Sequence, residues 1–147
     1  MRKGEMLNIM LVLVATEFDG MYDKGGVPYV MHCLKVMHYT KTEDEELQCI
    51  ALGHDLVEDR RSVTYARLHD MGFSDRVLSG IRAMTKVPGE TNEEYVARIK
   101  ANPDAIKVKL ADLRHNSDIR RLKGVTAKDI ARIEKYHSMY LELKDLV

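Results

Sequence analysis

The sequence predicts an all-α chain, and three observations carry that expectation. Apolar residues recur at helical spacing along most of its length, as in Val77, Leu78 and Ile81, or Ile130, Ile133, Tyr136, Tyr140 and Leu143. Thr42, Thr64, Ser74, Asn92 and Thr126 stand ahead of such runs, where a helix start needs a side-chain acceptor for its unpaired N–H groups. No period-two stretch, internal repeat or low-complexity segment interrupts the pattern. These features predict roughly seven or eight helices in one domain spanning residues 1–147, long enough to bury a core.

Leu7 to Phe18 reads as a first helix, apolar nearly all round and therefore expected at the centre. Gly20 to Val27 is a glycine-bracketed turn carrying Tyr22, Asp23 and Lys24. Pro28 suits the first turn of a second helix, Pro28 to Tyr39, with Val30, Leu34 and Met37 on one side and His32 in the second turn. Thr42 and the acids Glu43 to Glu46 open a third helix, which is expected to run through Leu47, Ile50 and Leu52 to Asp59. Thr64 caps a short helix ending at Gly72, and Ser74 caps the helix Asp75 to Met84. After the Pro88-Gly89 loop, Asn92 opens Glu93 to Lys100, and Pro103 starts a helix that reaches Ile119. Thr126 caps a final amphipathic helix.

Composition narrows the function. The chain has 23 basic and 23 acidic residues among 147, which argues against a broad surface for a nucleic-acid polymer or an anionic membrane. The apolar run near the N-terminus is too short to span a bilayer and lacks a small-residue cleavage site. Cys33 and Cys49 lie inside apolar helical patterns and read as buried, reduced thiols of a cytoplasmic protein.

The stretch Gly53-His54-Asp55-Leu56-Val57-Glu58-Asp59 crowds four polar groups at the end of an apolar run. Imidazole and carboxylate together suit a divalent transition metal. Taken singly, His32, His54, Asp55 and Asp112 each fit a packed core as structural histidines or internal caps. Three helices nevertheless each offer an inward-looking polar position: His32, the His54-Asp55 pair, and Asp112. Such a mixed N/O set leaves coordination positions open and suits Mn²⁺ or Fe²⁺, with Zn²⁺ and Mg²⁺ as alternatives. Glu58 and Asp59 are placed to handle protons, and Asn116 to bond a phosphate oxygen or the attacking water. Lys109 and Arg114 flank Asp112 and are candidate phosphate contacts, while Tyr22 is a candidate wall of a nucleotide pocket. Tyr29 fits either that wall or helix packing.

The order His…His-Asp…Asp in a helical chain resembles the HD superfamily of metal-dependent phosphohydrolases. Pro28-Tyr29-Val30-Met31-His32, then His54-Asp55-Leu56-Val57-Glu58-Asp59, then Val108-Lys109-Leu110-Ala111-Asp112 with His115-Asn116, is similar to the hydrolase domain of RelA/SpoT-type enzymes. The likeness is closer still to their small stand-alone relatives, which share the Asp-Lys turn and a loop like Pro88-Gly89-Glu90, and it covers nearly the whole chain. It implies an HD-type bundle that removes the 3′-pyrophosphate of guanosine tetra- or pentaphosphate (ppGpp), the alarmone of the stringent response, using manganese. Under that resemblance His32, His54, Asp55 and Asp112 are the metal ligands, Glu58 and Asp59 the catalytic acidic pair, and Asn116 the active-site asparagine. Lys24 falls on a basic residue that contacts substrate phosphate.

Three stretches depart from that pattern. Asp23 stands where those enzymes carry an arginine that stacks on guanine, a contact no acid supplies. Leu113-Arg114 inverts the order that follows the metal-binding aspartate, and Ser117-Asp118-Ile119 differs beyond the asparagine. The expected function is therefore metal-dependent hydrolysis of a small nucleotide, with alarmone as the leading substrate. Another nucleotide, a phosphorylated cofactor, or a nucleotide-binding regulator without turnover are the alternatives.

Overall fold

The computed structural model describes all of residues 1–147, and every regular element in it is helical. The chain runs α1 (Glu5–Glu17), α2 (Val30–Tyr39), α3 (Glu45–Gly53), α4 (Leu56–Asp59), α5 (Tyr65–Asp70), α6 (Asp75–Met84), α7 (Asn92–Lys100), α8 (Pro103–Asn116) and α9 (Ala127–Leu143). α4 is a single turn, so the number of substantial helices agrees with the expectation from capping and periodicity. No helix is long and apolar enough to cross a membrane.

Side-chain acceptors start most of these helices, as the sequence predicts. The hydroxyls of Thr64, Ser74 and Thr126 accept the N–H groups of Arg67, Val77 and Asp129, and Asn102 caps α8 ahead of Pro103. Thr126 and Asp129 close a reciprocal capping box. Two caps shift by a residue or two. Asp44, not Thr42, accepts from Glu46 and Leu47 at the start of α3, while Thr42 takes the N–H of Asp44; Thr91, not Asn92, caps α7.

α3 is the centre of the molecule. Leu47 and every residue from Cys49 to Gly53 are buried, and α1, α2, α6 and α8 all pack on it. The expectation that α1 would be central is corrected here. It buries Met10, Leu13 and Val14 toward α3 but leaves Val12 59% exposed, so apolar composition all round did not bring burial all round. A Cβ on Gly53 would lie 2.8 Å from Met10 Cε and 3.2 Å from Ile81 Cδ1, so α1 and α6 pack closely on the end of α3 and any side chain there would have to displace the tip of Met10. α2 turns His32, Cys33 and Val36 inward, while Val30, Leu34 and Met37 are only partly buried.

Three predicted boundaries differ for visible reasons. α2 begins at Val30 because Pro28 is held in an isolated bridge with Tyr22, with Tyr29 N–H donating to Met21 O (2.8 Å). α8 stops at Asn116, and Ile119 belongs to a separate 3₁₀ turn opened by the Asp118 side chain. The helix expected to run on to Asp59 breaks at His54 and Asp55, and α4 restarts with Leu56.

Candidate metal centre

α2, the α3–α4 junction and α8 meet at four polar side chains. His32, His54 and Asp112 are 2%, 1% and 5% exposed, among the least accessible ionisable groups in the chain. His32 Nε2 lies 3.0 Å from Asp112 Oδ1 and 3.6 Å from Asp55 Oδ2. His54 Nε2 lies 3.0 Å from Asp55 Oδ2 and 3.3 Å from Asp112 Oδ1. One donor atom from each of the four falls within 4.8 Å of the others. The structure thus brings together all four predicted metal-ligating residues.

The break between α3 and α4 makes this convergence possible. On a continuous helix, consecutive side chains diverge by about 100° and do not meet at one point. Asp55 instead sits outside both helices, at φ −103° and ψ −2°, and its carboxylate swings across to His54 Nε2.

Outer contacts set the tautomers and hold the carboxylates. His54 Nδ1 lies 2.7 Å from the carbonyl of Ala51, which assigns the proton to Nδ1 and aims the Nε2 lone pair at Asp55 and Asp112. His32 Nδ1 and His115 Nδ1 lie 2.6 Å apart. Burial, then the charges of Arg121 and His32, push His115 down to about 4, so its ring is neutral and accepts the proton of His32 Nδ1. Asp112 accepts from Lys109 Nζ (3.1 Å, Oδ2) and Asn116 Nδ2 (3.0 Å, Oδ1), and the Tyr29 hydroxyl donates to Asp55 Oδ2 (2.5 Å).

This geometry fits a divalent cation. With both Nδ1 atoms protonated, two imidazole lone pairs face two carboxylate oxygens, an arrangement that needs positive charge between them. Bond lengths of about 2.1 Å put neighbouring donors roughly 3.0 Å apart in an octahedron and 3.4 Å in a tetrahedron. The four distances above, 3.0 to 3.6 Å, lie close to that range. Without an ion, a proton fills the role. Burial lowers the pKa of His54, but Asp55 and Asp112 outweigh it and raise the value well above 6.5. Asp112 is driven well below the usual carboxylate range as Lys109, His32 and His54 overcome its burial.

His54, Asp55 and Asp112 line a polar cleft of about 270 Å³, with His32 behind them. Glu58, Asp59, Lys86, Lys109 and Asn116 also line it. Glu58 Oε1 accepts the backbone N–H of Lys86 (2.9 Å), tying α4 to the loop after α6. Asp59 is exposed as a residue, yet the protein around its carboxyl and the charges of Asp55 and Glu58 push it up to about 6. Tyr29, Asn116 and Tyr136 are shared with an adjoining cavity of about 260 Å³, where Tyr22, Asp23 and Lys24 are found.

Of the predicted contacts, Lys109 stands at the cluster and Tyr22 and Lys24 border the adjoining cavity. Arg114 is not brought to the site. Two positions beyond Asp112 on α8, it points elsewhere, with its guanidinium 4.0 Å from the Tyr39 ring centroid. Asp23 does not present a bare charge to the cavity. Its Oδ1 accepts from Gly25 and Val27 (2.9 and 3.0 Å), and its Oδ2 pairs with Arg121 (3.0 Å). Arg121 also donates to His115 O and Asn116 Oδ1, and Gly25 packs so closely on the Arg121 backbone that no Cβ would fit.

Sequence reasoning gave no role to His115 or Lys86, offered Arg121 either as part of a phosphate-holding rim or as a surface cation, with surface preferred, and left Tyr29 open. His115 had a readable signal, lying one helical turn beyond Asp112 on the same face. Lys86 reaches the site from the loop after α6 and Arg121 from the 3₁₀ turn after α8, and neither had a local signal. No protein-family model matches this chain.

Proposed function

We propose that this chain is a metal-dependent phosphohydrolase acting on a small nucleotide, with guanosine 3′,5′-bis(diphosphate) as the leading substrate and its 3′-pyrophosphate as the group removed. The observation that carries the reading is a largely buried four-donor cluster, three of whose members face a polar cleft lined by both cations and carboxylates. A divalent ion held by His32, His54, Asp55 and Asp112, with Mn²⁺ the leading candidate, would lower the pKa of a bound water and polarise a phosphoryl oxygen. The chain's own residues supply the rest. Lys109 and Lys86 place positive charge in the cleft, and Asn116 offers an amide at its wall. Phosphoryl hydrolysis requires the incoming water to lose a proton as its P–O bond forms and the ribose 3′-oxygen to gain one as the P–O3′ bond breaks, and Glu58 and Asp59, carboxylates lining the cleft, would take and return that proton. With Asp59 pushed up to about 6, that group can both accept and release a proton near neutral pH.

The Asp23–Arg121 pair favours a second reading of the substrate. The cavity beside the cleft has an ion pair where alarmone hydrolases stack an arginine on guanine, which supports a different nucleotide or a phosphorylated cofactor. One experiment separates these readings from a non-catalytic nucleotide binder. The purified chain is incubated with Mn²⁺, Fe²⁺, Zn²⁺ or Mg²⁺ and a panel of nucleotides, and phosphorus NMR identifies the phosphate that leaves. Release of pyrophosphate from the alarmone, lost in Asp55→Ala, supports the first reading. Release of orthophosphate from another member supports the second. Binding without any release rejects the enzyme.

A further inference from the structure

A cavity of about 610 Å³ lies away from the His/Asp cluster, between the end of α2, the outer side of α8 and the end of α9. Asp112 and Arg114 are two residues apart on α8, about 200° around the helix, so one helix serves the cluster on one side and this groove on the other. Its charge is one-sided. Lys107, Arg114 and Lys144 line it, no acidic side chain does, and none of the three pairs with a carboxylate anywhere. The apolar part of the lining is aromatic as well as aliphatic. The Arg114 guanidinium carbon lies over Tyr39, 4.0 Å from the ring centroid, and Tyr140 stacks on His137 at 6.4 Å and 17°.

We infer that this groove binds a small anion built on an aromatic ring, of the chemical class of a nucleoside monophosphate. The Tyr39–Arg114 stack and Tyr140 offer flat faces to a planar ring, while the unpaired cations offer charge-assisted hydrogen bonds to a phosphate. The volume falls in the range of about 300–1,000 Å³ that small-molecule sites occupy. A protein partner is a poorer match, since the charged groups converge on a concavity rather than spread over a flat face. The inference does not depend on the hydrolase reading, because no residue of this groove lines the cleft.

The test uses the full chain stripped of metal by a chelator, with AMP, adenosine and inorganic phosphate as probes, followed by calorimetry and by amide chemical shifts. AMP is expected to bind and to move the amides of Lys107, Arg114 and Tyr140. Adenosine and phosphate should each bind at least about tenfold more weakly, because each keeps only one of the two recognition elements. Arg114→Glu and Lys144→Glu should each weaken AMP by at least about tenfold while leaving the circular dichroism unchanged, both residues being exposed. Shifts confined to Lys86 and Asn116 in the cleft would overturn the inference. So would AMP binding of unchanged strength in both variants, equal binding of adenosine and AMP, or no AMP binding at millimolar concentration.

Discussion

On the inner side of α8, Asp112 is 5% exposed and accepts from Lys109 and Asn116 while facing two imidazoles. On the outer side, Arg114 and Lys107 are exposed and have no carboxylate partner. The difference follows from solvation. A charge taken out of water is tolerated only when neighbouring groups replace its hydration, so the inner side is held by a web of specific bonds. A charge left in water needs no partner, so the outer side stays free to recruit one. The inner groups should therefore be intolerant of change and the outer ones permissive.

The largest expected effect is at the inner side. Asp112→Ala removes an oxygen of the candidate metal site and leaves the largely buried Lys109 ammonium without its partner. It should abolish metal binding and cost the metal-free fold about 3–5 kcal/mol, read by urea denaturation. Full stability in that variant would mean that the web is not what holds this end of α8. Next come the groups that hold the ligands without being ligands. Tyr29→Phe removes the hydrogen bond to Asp55 Oδ2, and Asn116→Ala the one to Asp112. Each should weaken Mn²⁺ binding roughly 10–100-fold by calorimetry, with the helical content unchanged.

pH gives a third and smaller effect, whose sign follows from His54. Its folded-state pKa is raised well above 6.5, so the bound proton stabilises the metal-free fold fully below about pH 6.5 and that stabilisation is lost as pH rises through the folded value. An ion must displace this proton. The rise in melting temperature on adding Mn²⁺ should therefore grow from pH 6 to pH 8.5, with proton release detectable by calorimetry in buffers of different ionisation heat. A metal response that is flat with pH would show that His54 is not a ligand.

The smallest effect belongs to the surface. Arg76 bridges Asp44 and Asp104 with its side chain 40% exposed, and Arg76→Ala should cost only about 0–1 kcal/mol. A similarly local change, Asp23→Asn, should leave Mn²⁺ affinity unaltered and shift KM rather than kcat. It loosens Arg121 beside the adjoining cavity without touching a metal-ligating atom.

Much of this molecule was legible along the chain. Thr64, Ser74 and Thr126 mark helix starts because a cap acts within three residues of itself, and apolar spacing marks helices for the same local reason. Burial was less legible. α1 is apolar on every side, but whether each side meets a neighbour depends on elements elsewhere, and Val12 meets none. The four ligand-type residues could be picked out by type and order, whereas Lys86 and Arg121 could not, since nothing local distinguishes them from other surface cations. Arg114 shows the opposite failure: adjacency to Asp112 in sequence put it two positions round the helix, on the wrong side.

By itself, the sequence determined the all-helical class, most of the caps and the types of donor available for a metal. The tertiary structure decided whether those donors meet. His54 and Asp112 are 58 residues apart and come together only because α3 and α8 pack in register. His54 and Asp55 are neighbours in sequence and would diverge on an unbroken helix. They converge because the chain breaks between Gly53 and Leu56, where the half-buried Tyr29 and the opposing histidines bond the carboxylate that the break sets free.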